Sequence, residues 1–72
     1  MPLNVVHSRG GEALKYRWGF WHLWAFTEAD KAEGGNALRT GRHVFKGEHR
    51  FEDDSDGEVV TILPGDVLEM YR

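Results

Sequence analysis

Six of the nine aromatic residues of this chain fall between Tyr16 and Phe26. The chain has only 72 residues and no cysteine. A single domain of this length buries a small share of its surface. Ordering each residue costs roughly 1.5 kcal/mol, and apolar burial at about 25 cal/mol per Å² barely offsets that. Disulfides and thiolate zinc sites cannot contribute without cysteine. The rings, each of which buries a large area, must therefore form either the centre of the core or a surface that another chain covers.

The segment carries two patterns. Leu14, Tyr16, Trp18, Phe20, His22, Trp24 and Phe26 share one parity, with Lys15, Arg17 and Gly19 on the other. That alternation predicts a strand over Leu14–Thr27, two-faced at its start, buried on both faces beyond Phe20 and bent at Gly19. The alternative is a helix between Glu12 and Glu33, in which Leu14, Trp18, Trp21, Ala25, Ala29 and Ala32 fall at helical spacing. Gly19 in its interior and the modest helix propensity of the aromatics speak against it.

The rest reads mostly as strand and turn. Asn4–Ser8 is a first strand, followed by a turn at Ser8–Gly11. Thr27–Gly35 is a short helical turn with acids near its start and glycines after its end. Asn36–Gly41 is a loop. Arg42–Glu52 alternates cleanly, with His43, Phe45, Gly47, His49 and Phe51 on one face. A hairpin joins it to Glu58–Leu63 through Asp53–Gly57. Leu63-Pro64-Gly65-Asp66 has the composition of a type II turn, and Val67–Tyr71 is the last strand. The fold class expected is mainly β, a single domain whose plan resembles a small five-stranded SH3-like or OB-like barrel with one short helical turn. The alternative is an α+β domain with a helix over about 12–33.

The net charge of -3 is unevenly spread. Residues 1–50 carry eight Lys/Arg against five acids, whereas residues 51–72 carry seven acids and one Arg. Such a split can steer a charged partner, unless the fold interleaves the two blocks. The first residues lack the basic start and apolar stretch of a secretory signal. No run approaches the ~18 apolar residues of a membrane span. A stand-alone cytoplasmic protein without membrane attachment is the expectation.

Catalytic and cofactor patterns are poorly represented. In an extended strand, six residues at about 3.3 Å each would hold His43 and His49 about 20 Å apart, too far to share a metal ion. Glu52, Asp54, Asp56 and Gly57 follow a calcium-loop register, but Leu63 stands where that loop needs a bidentate Glu. No Gly-x-Ser-x-Gly elbow is present, and neither Gly10-Gly11 nor Gly34-Gly35 leads into a phosphate-loop Lys. The chain is expected to be neither an enzyme nor a cofactor binder.

Binding is the remaining class. An interior as narrow as a small barrel's cannot hold all the rings, so some of Trp18, Trp21 and Trp24 are expected at the surface, where Trp, Tyr and Arg form hot spots. The candidate partner-binding residues are Tyr16, Arg17, Trp18, Trp21, Trp24 and Arg42. The expected function is a small protein-binding module, an inhibitor or modulator of a larger protein of the phage-accessory or antitoxin kind. Association into a homodimer would satisfy the same signal. The alternative is a single-stranded nucleic-acid binder using Lys15, Arg17, Arg39, Arg42, Lys46 and Arg50 beside the aromatics, a reading weakened by the acidic overall charge.

Overall fold

The computed structural model describes residues 4–14 and 19–71. Six strands (β1, Asn4–Arg9; β2, Glu12–Ala13; β3, Arg42–Val44; β4, His49–Glu52; β5, Val59–Ile62; β6, Val67–Tyr71) accompany two helices (α1, Phe20–Ala32; α2, Asn36–Thr40). β6 is the backbone of a four-stranded antiparallel sheet in the order β2-β1-β6-β3, and β4 pairs with β5 in a separate hairpin. Strands hold more of the described residues than helices do, so the mainly β expectation stands at that level. The two sheets do not close into a barrel.

Three late features match the sequence reading. β6 spans Val67–Tyr71, β4 and β5 form the hairpin in the register Phe51↔Val60, and Gly65 takes φ +91° at the tight turn after Pro64. The Asp66 N–H donates to the Leu63 carbonyl across that turn. A positive φ there needs glycine.

Residues 20–32 correct the strand expected over Leu14–Thr27. They form a 13-residue helix, which also absorbs the start of the short turn expected over Thr27–Gly35. Part of the alternative helix over 12–33 is thus the one observed, beginning after Gly19. Leu23, Ala25, Glu28, Ala29, Lys31 and Ala32 are good helix formers. The parity pattern misleads because α1 is inverted. Its buried residues are His22, Ala25, Phe26, Ala29 and Asp30, while Phe20 and Trp24 face outward. Alanines let the helix lie close to its neighbours. Phe26, which reaches the His7 ring of β1 at 5.0 Å, supplies apolar bulk together with the part-buried Trp21.

Asn36–Thr40, expected as loop, is the short helix α2. The buried Asp30 carboxylate accepts the N–H groups of Ala37 (2.9 Å) and Leu38 (3.0 Å), satisfying donors that a helix start leaves open. The core joins Phe26 and Ala29 of α1 and Ala37 of α2 to Phe45, Val60, Ile62, Leu68 and Met70. Across the sheet, His7, Leu68 and His43 stand side by side on β1, β6 and β3, all buried.

The single strand expected over Arg42–Glu52 is broken in two. Phe45 turns its backbone to the 63–66 turn, its N–H donating to the Asp66 carbonyl and its own carbonyl accepting the Gly65 N–H, both at 2.8 Å. The N–H groups of Lys46 and Gly47 then leave any ladder and donate to the Glu33 carboxylate at 2.7 and 3.1 Å.

Candidate interaction surface

Helix α1 has two chemically different ends. At its C-terminal end Glu33 is a hub. Its Oε1 accepts from His43 Nε2 at 2.9 Å, and its Oε2 accepts from His49 Nε2, in addition to the Lys46 and Gly47 N–H groups. The break at Phe45–Glu48 is what brings the two histidines together, correcting the expectation that they lie about 20 Å apart. Burial opposes charge on Glu33, but the Lys46 N–H, His49, His43 and the Gly47 N–H outweigh it and bring its pKa down to about 2. Asn36 Nδ2 lies 3.1 Å from His43 Nδ1, and Asn36 Oδ1 accepts from Arg39. That pattern places the His43 ring proton on Nε2. This end is closed: Glu33, His43 and His49 use one another and the backbone.

A second closed cluster lies under β1. Asp66, buried, accepts from Arg9 Nε and Nη2 (both 2.9 Å), from His7 Nε2 (2.7 Å) and from the Leu63 N–H (2.9 Å). Burial opposes its charge, and these donors nonetheless bring its pKa to about 2. Burial also lowers the pKa of His7 against the pull of Asp66. Bidentate Arg–carboxylate pairing of this kind fixes geometry, and here it ties β1 to the turn before β6.

The N-terminal end of α1 is open. Gly19 begins the helix in an extended conformation, and no side chain among the described residues caps it. Phe20 is 97% exposed, and Trp24, one helical turn on, is 52% exposed. Trp24 meets Phe51 of β4 edge to face, with centroids 5.8 Å apart. Beside them a cleft of about 240 Å³ runs between Phe20, Trp21 and His22 on the helix and Asp53, Asp56 and Glu58 on the β4–β5 connection. His22 Nε2 lies 3.0 Å from Glu58 Oε1, and the Trp21 and His22 rings meet edge-on.

The carboxylates of this cleft are positioned by the turn itself. Asp53 Oδ1 accepts the Ser55 N–H (3.0 Å) and hydroxyl (2.8 Å), and Asp56 Oδ1 accepts the Glu58 N–H (2.9 Å). The Ser55 N–H first, and its hydroxyl second, lower the Asp53 pKa below the ordinary carboxylate value, so Asp53 is negative at neutral pH. The hairpin tip is the turn expected over Asp53–Gly57, exposed over residues 54–57, and its own hydrogen bonds order its carboxylates into an acidic wall. No group of three or more His, Asp or Glu among the described residues is arranged to hold a metal ion.

The candidate residues from the sequence are divided by the fold. Tyr16, Arg17 and Trp18 lie outside the described residues. Trp21 is half-buried against the core and lines the cleft, and Trp24 is half-exposed on the helix. Arg42 is exposed on β3, in the other sheet, opposite Glu69 of β6. Sequence reasoning missed Phe20, Phe51 and the acids facing them. The signal that could have found Phe20 was its four-residue spacing from Trp24, which puts both on one helical face. No protein-family model, curated protein or solved structure matches the chain. No helix among the described residues is long and apolar enough to cross a membrane.

Proposed function

We propose that the chain is a protein-binding module that occupies a surface of a larger protein, as an inhibitor or modulator does, and that the Phe20–Trp24 face of α1 is its contact surface. The observation that carries this reading is the inversion of α1, with alanines and a single Phe inward and a Phe and a Trp outward. Exposed apolar area costs about 25 cal/mol per Å², and a partner that covers both rings recovers it. Trp24 and Phe51 meet edge to face and Phe20 lies one helical turn before Trp24, and aromatic residues are enriched in interface cores. The competing nucleic-acid reading needs rings beside a basic groove. Here Phe20 and Trp21 share a cleft with Asp53, Asp56 and Glu58, while Arg9 is held by Asp66, Arg39 by Gly34 and Asn36, and Arg50 lies against Glu52. Phosphates would be repelled by the first arrangement and poorly served by the second.

The test uses the tagged chain as bait in extracts of its native cell. A protein recovered with the wild type should be lost with the Phe20→Ala/Trp24→Ala double variant, corresponding to a cost of about 2 kcal/mol, or roughly 30-fold in affinity. Unchanged circular dichroism would show that the fold survives. Equal recovery by the variant would overturn the reading.

A further inference from the structure

We infer that the cleft at the N-terminal end of α1 receives an arginine side chain from a basic, partly apolar segment of the partner. This rests on the protein-binding reading above and names the chemistry of its ligand. The cleft, at about 240 Å³, is smaller than the ~300–1,000 Å³ of sites that enclose a drug-sized molecule. It suits one long side chain rather than a cofactor. Its two walls differ in kind: Phe20 and Trp21 stand on the helix, and Asp53, Asp56 and Glu58 on the connection between β4 and β5.

A planar guanidinium matches both walls at once. It stacks on aromatic faces and donates in a fixed fork to carboxylates. The carboxylates also exceed what the helix needs. A helix start presents roughly half a positive charge, whereas the facing wall brings Asp53, Asp56 and Glu58, with His22 within hydrogen-bond distance of Glu58 and near enough to Asp53 to favour its charge. Among the described residues the excess is negative, which disfavours an anionic ligand and attracts a cation. Phe20 belongs to the cleft and to the exposed face of α1 alike, so a segment that seats an arginine in the cleft lays its neighbouring residues over Phe20 and Trp24. Apolar neighbours would complete that contact.

A second copy of the chain is a poorer occupant. A two-fold contact sets a patch against itself, and here it would bring the run from Glu52 to Glu58, with five acids, toward its own copy.

The probes are three blocked peptides in which leucine alternates with arginine, with citrulline or with glutamate, titrated into the isotopically labelled full chain and followed by nuclear magnetic resonance. The arginine peptide should shift the amides of Phe20–His22 and Asp53–Glu58 and the indoles of Trp21 and Trp24. Citrulline, a neutral isostere of arginine, should bind at least about tenfold more weakly, the equivalent of one charge-assisted contact, and the glutamate peptide should leave these signals in place. The Asp53→Asn/Asp56→Asn variant should lose a similar factor for the arginine peptide alone. Equal binding of the arginine and citrulline peptides would overturn the inference, as would the absence of shifts with either. Dilution-dependent shifts of the same signals in the peptide-free chain would overturn it in favour of a second copy. If the Phe20→Ala/Trp24→Ala variant loses the natural partner while Asp53→Asn/Asp56→Asn retains it fully, the protein-binding reading stands and the arginine site falls.

Discussion

The two ends of α1 are made from the same kinds of residue, aromatic rings, histidines and carboxylates, and put them to opposite uses. At the C-terminal end, Asp30 and Glu33 turn inward. Asp30 holds the start of α2, and Glu33 joins His43, His49 and the Lys46–Gly47 backbone. At the N-terminal end, Phe20 and Trp24 turn outward and the carboxylates of the β4–β5 connection stand around a cleft. A carboxylate surrounded by four donors is a structural element, because its removal leaves the buried His43 and the backbone of the 45–48 segment without their acceptor. Carboxylates that, among the described residues, meet their own turn and one histidine still have charge to offer a ligand. The difference locates where the molecule invests in folding and where it has chemistry left over.

Breaking the closed end should have the largest effect on stability. Glu33→Ala removes the acceptor of two histidines and two backbone N–H groups, of which His43 is buried, and should cost about 2 kcal/mol, since a buried group left unsatisfied costs about 1–3 kcal/mol and solvent can replace the partner of the exposed Lys46 N–H. Chemical denaturation should show this as a lowered midpoint. A midpoint within error of wild type would mean that the hub does not hold the 45–48 segment. Asp53→Asn at the open end should leave the midpoint nearly unchanged.

Acid should act on the closed clusters next. The folded-state pKa values of Glu33 and Asp66 are depressed to about 2 from 4.5 and 3.8. Their stabilisation is therefore fully present above the unfolded values and is lost as pH falls toward 2. His7 is depressed from 6.5, so the unfolded chain takes up its proton first and stability begins to decline as pH drops below about 6.5. Thermal melts across pH 8 to 2 should show this two-stage fall, with the Glu33→Ala variant losing part of the lower stage. A melting temperature independent of pH between 5 and 2 would contradict the assignment.

How far the sequence revealed this follows the reach of the interactions. β6, the β4–β5 hairpin and the Pro64–Gly65 turn were legible because each is decided by residues a few positions apart. The break in Arg42–Glu52 was not, since it depends on a carboxylate 13 to 14 residues away taking two N–H groups from the strand. Helix α1 was misread as a strand because a reader expects large rings to face the core, and here Ala25 and Ala29 do so instead. That some Trp would stand at the surface was legible from the crowding of rings, but that Trp24 is one, at 52% exposure, depends on the helix. Phe20 and the acidic wall became visible only once the helix set Phe20 and Trp24 on one face and the hairpin brought Asp53, Asp56 and Glu58 against it.

The most direct test of the contrast is the thermal unfolding of the Phe20→Ala/Trp24→Ala double variant. If these rings form a docking surface, the substitutions should cost about 1 kcal/mol in total, mainly the Trp24–Phe51 contact, a shift of roughly 4–8 °C for a domain of this size. The melt should remain cooperative. If the rings are core, each loss should cost about 3–5 kcal/mol, and a domain with only about 5–15 kcal/mol in total would be largely or wholly unfolded. A cooperative melt close to that of the wild type is the result predicted, and an unfolded double variant would contradict the account.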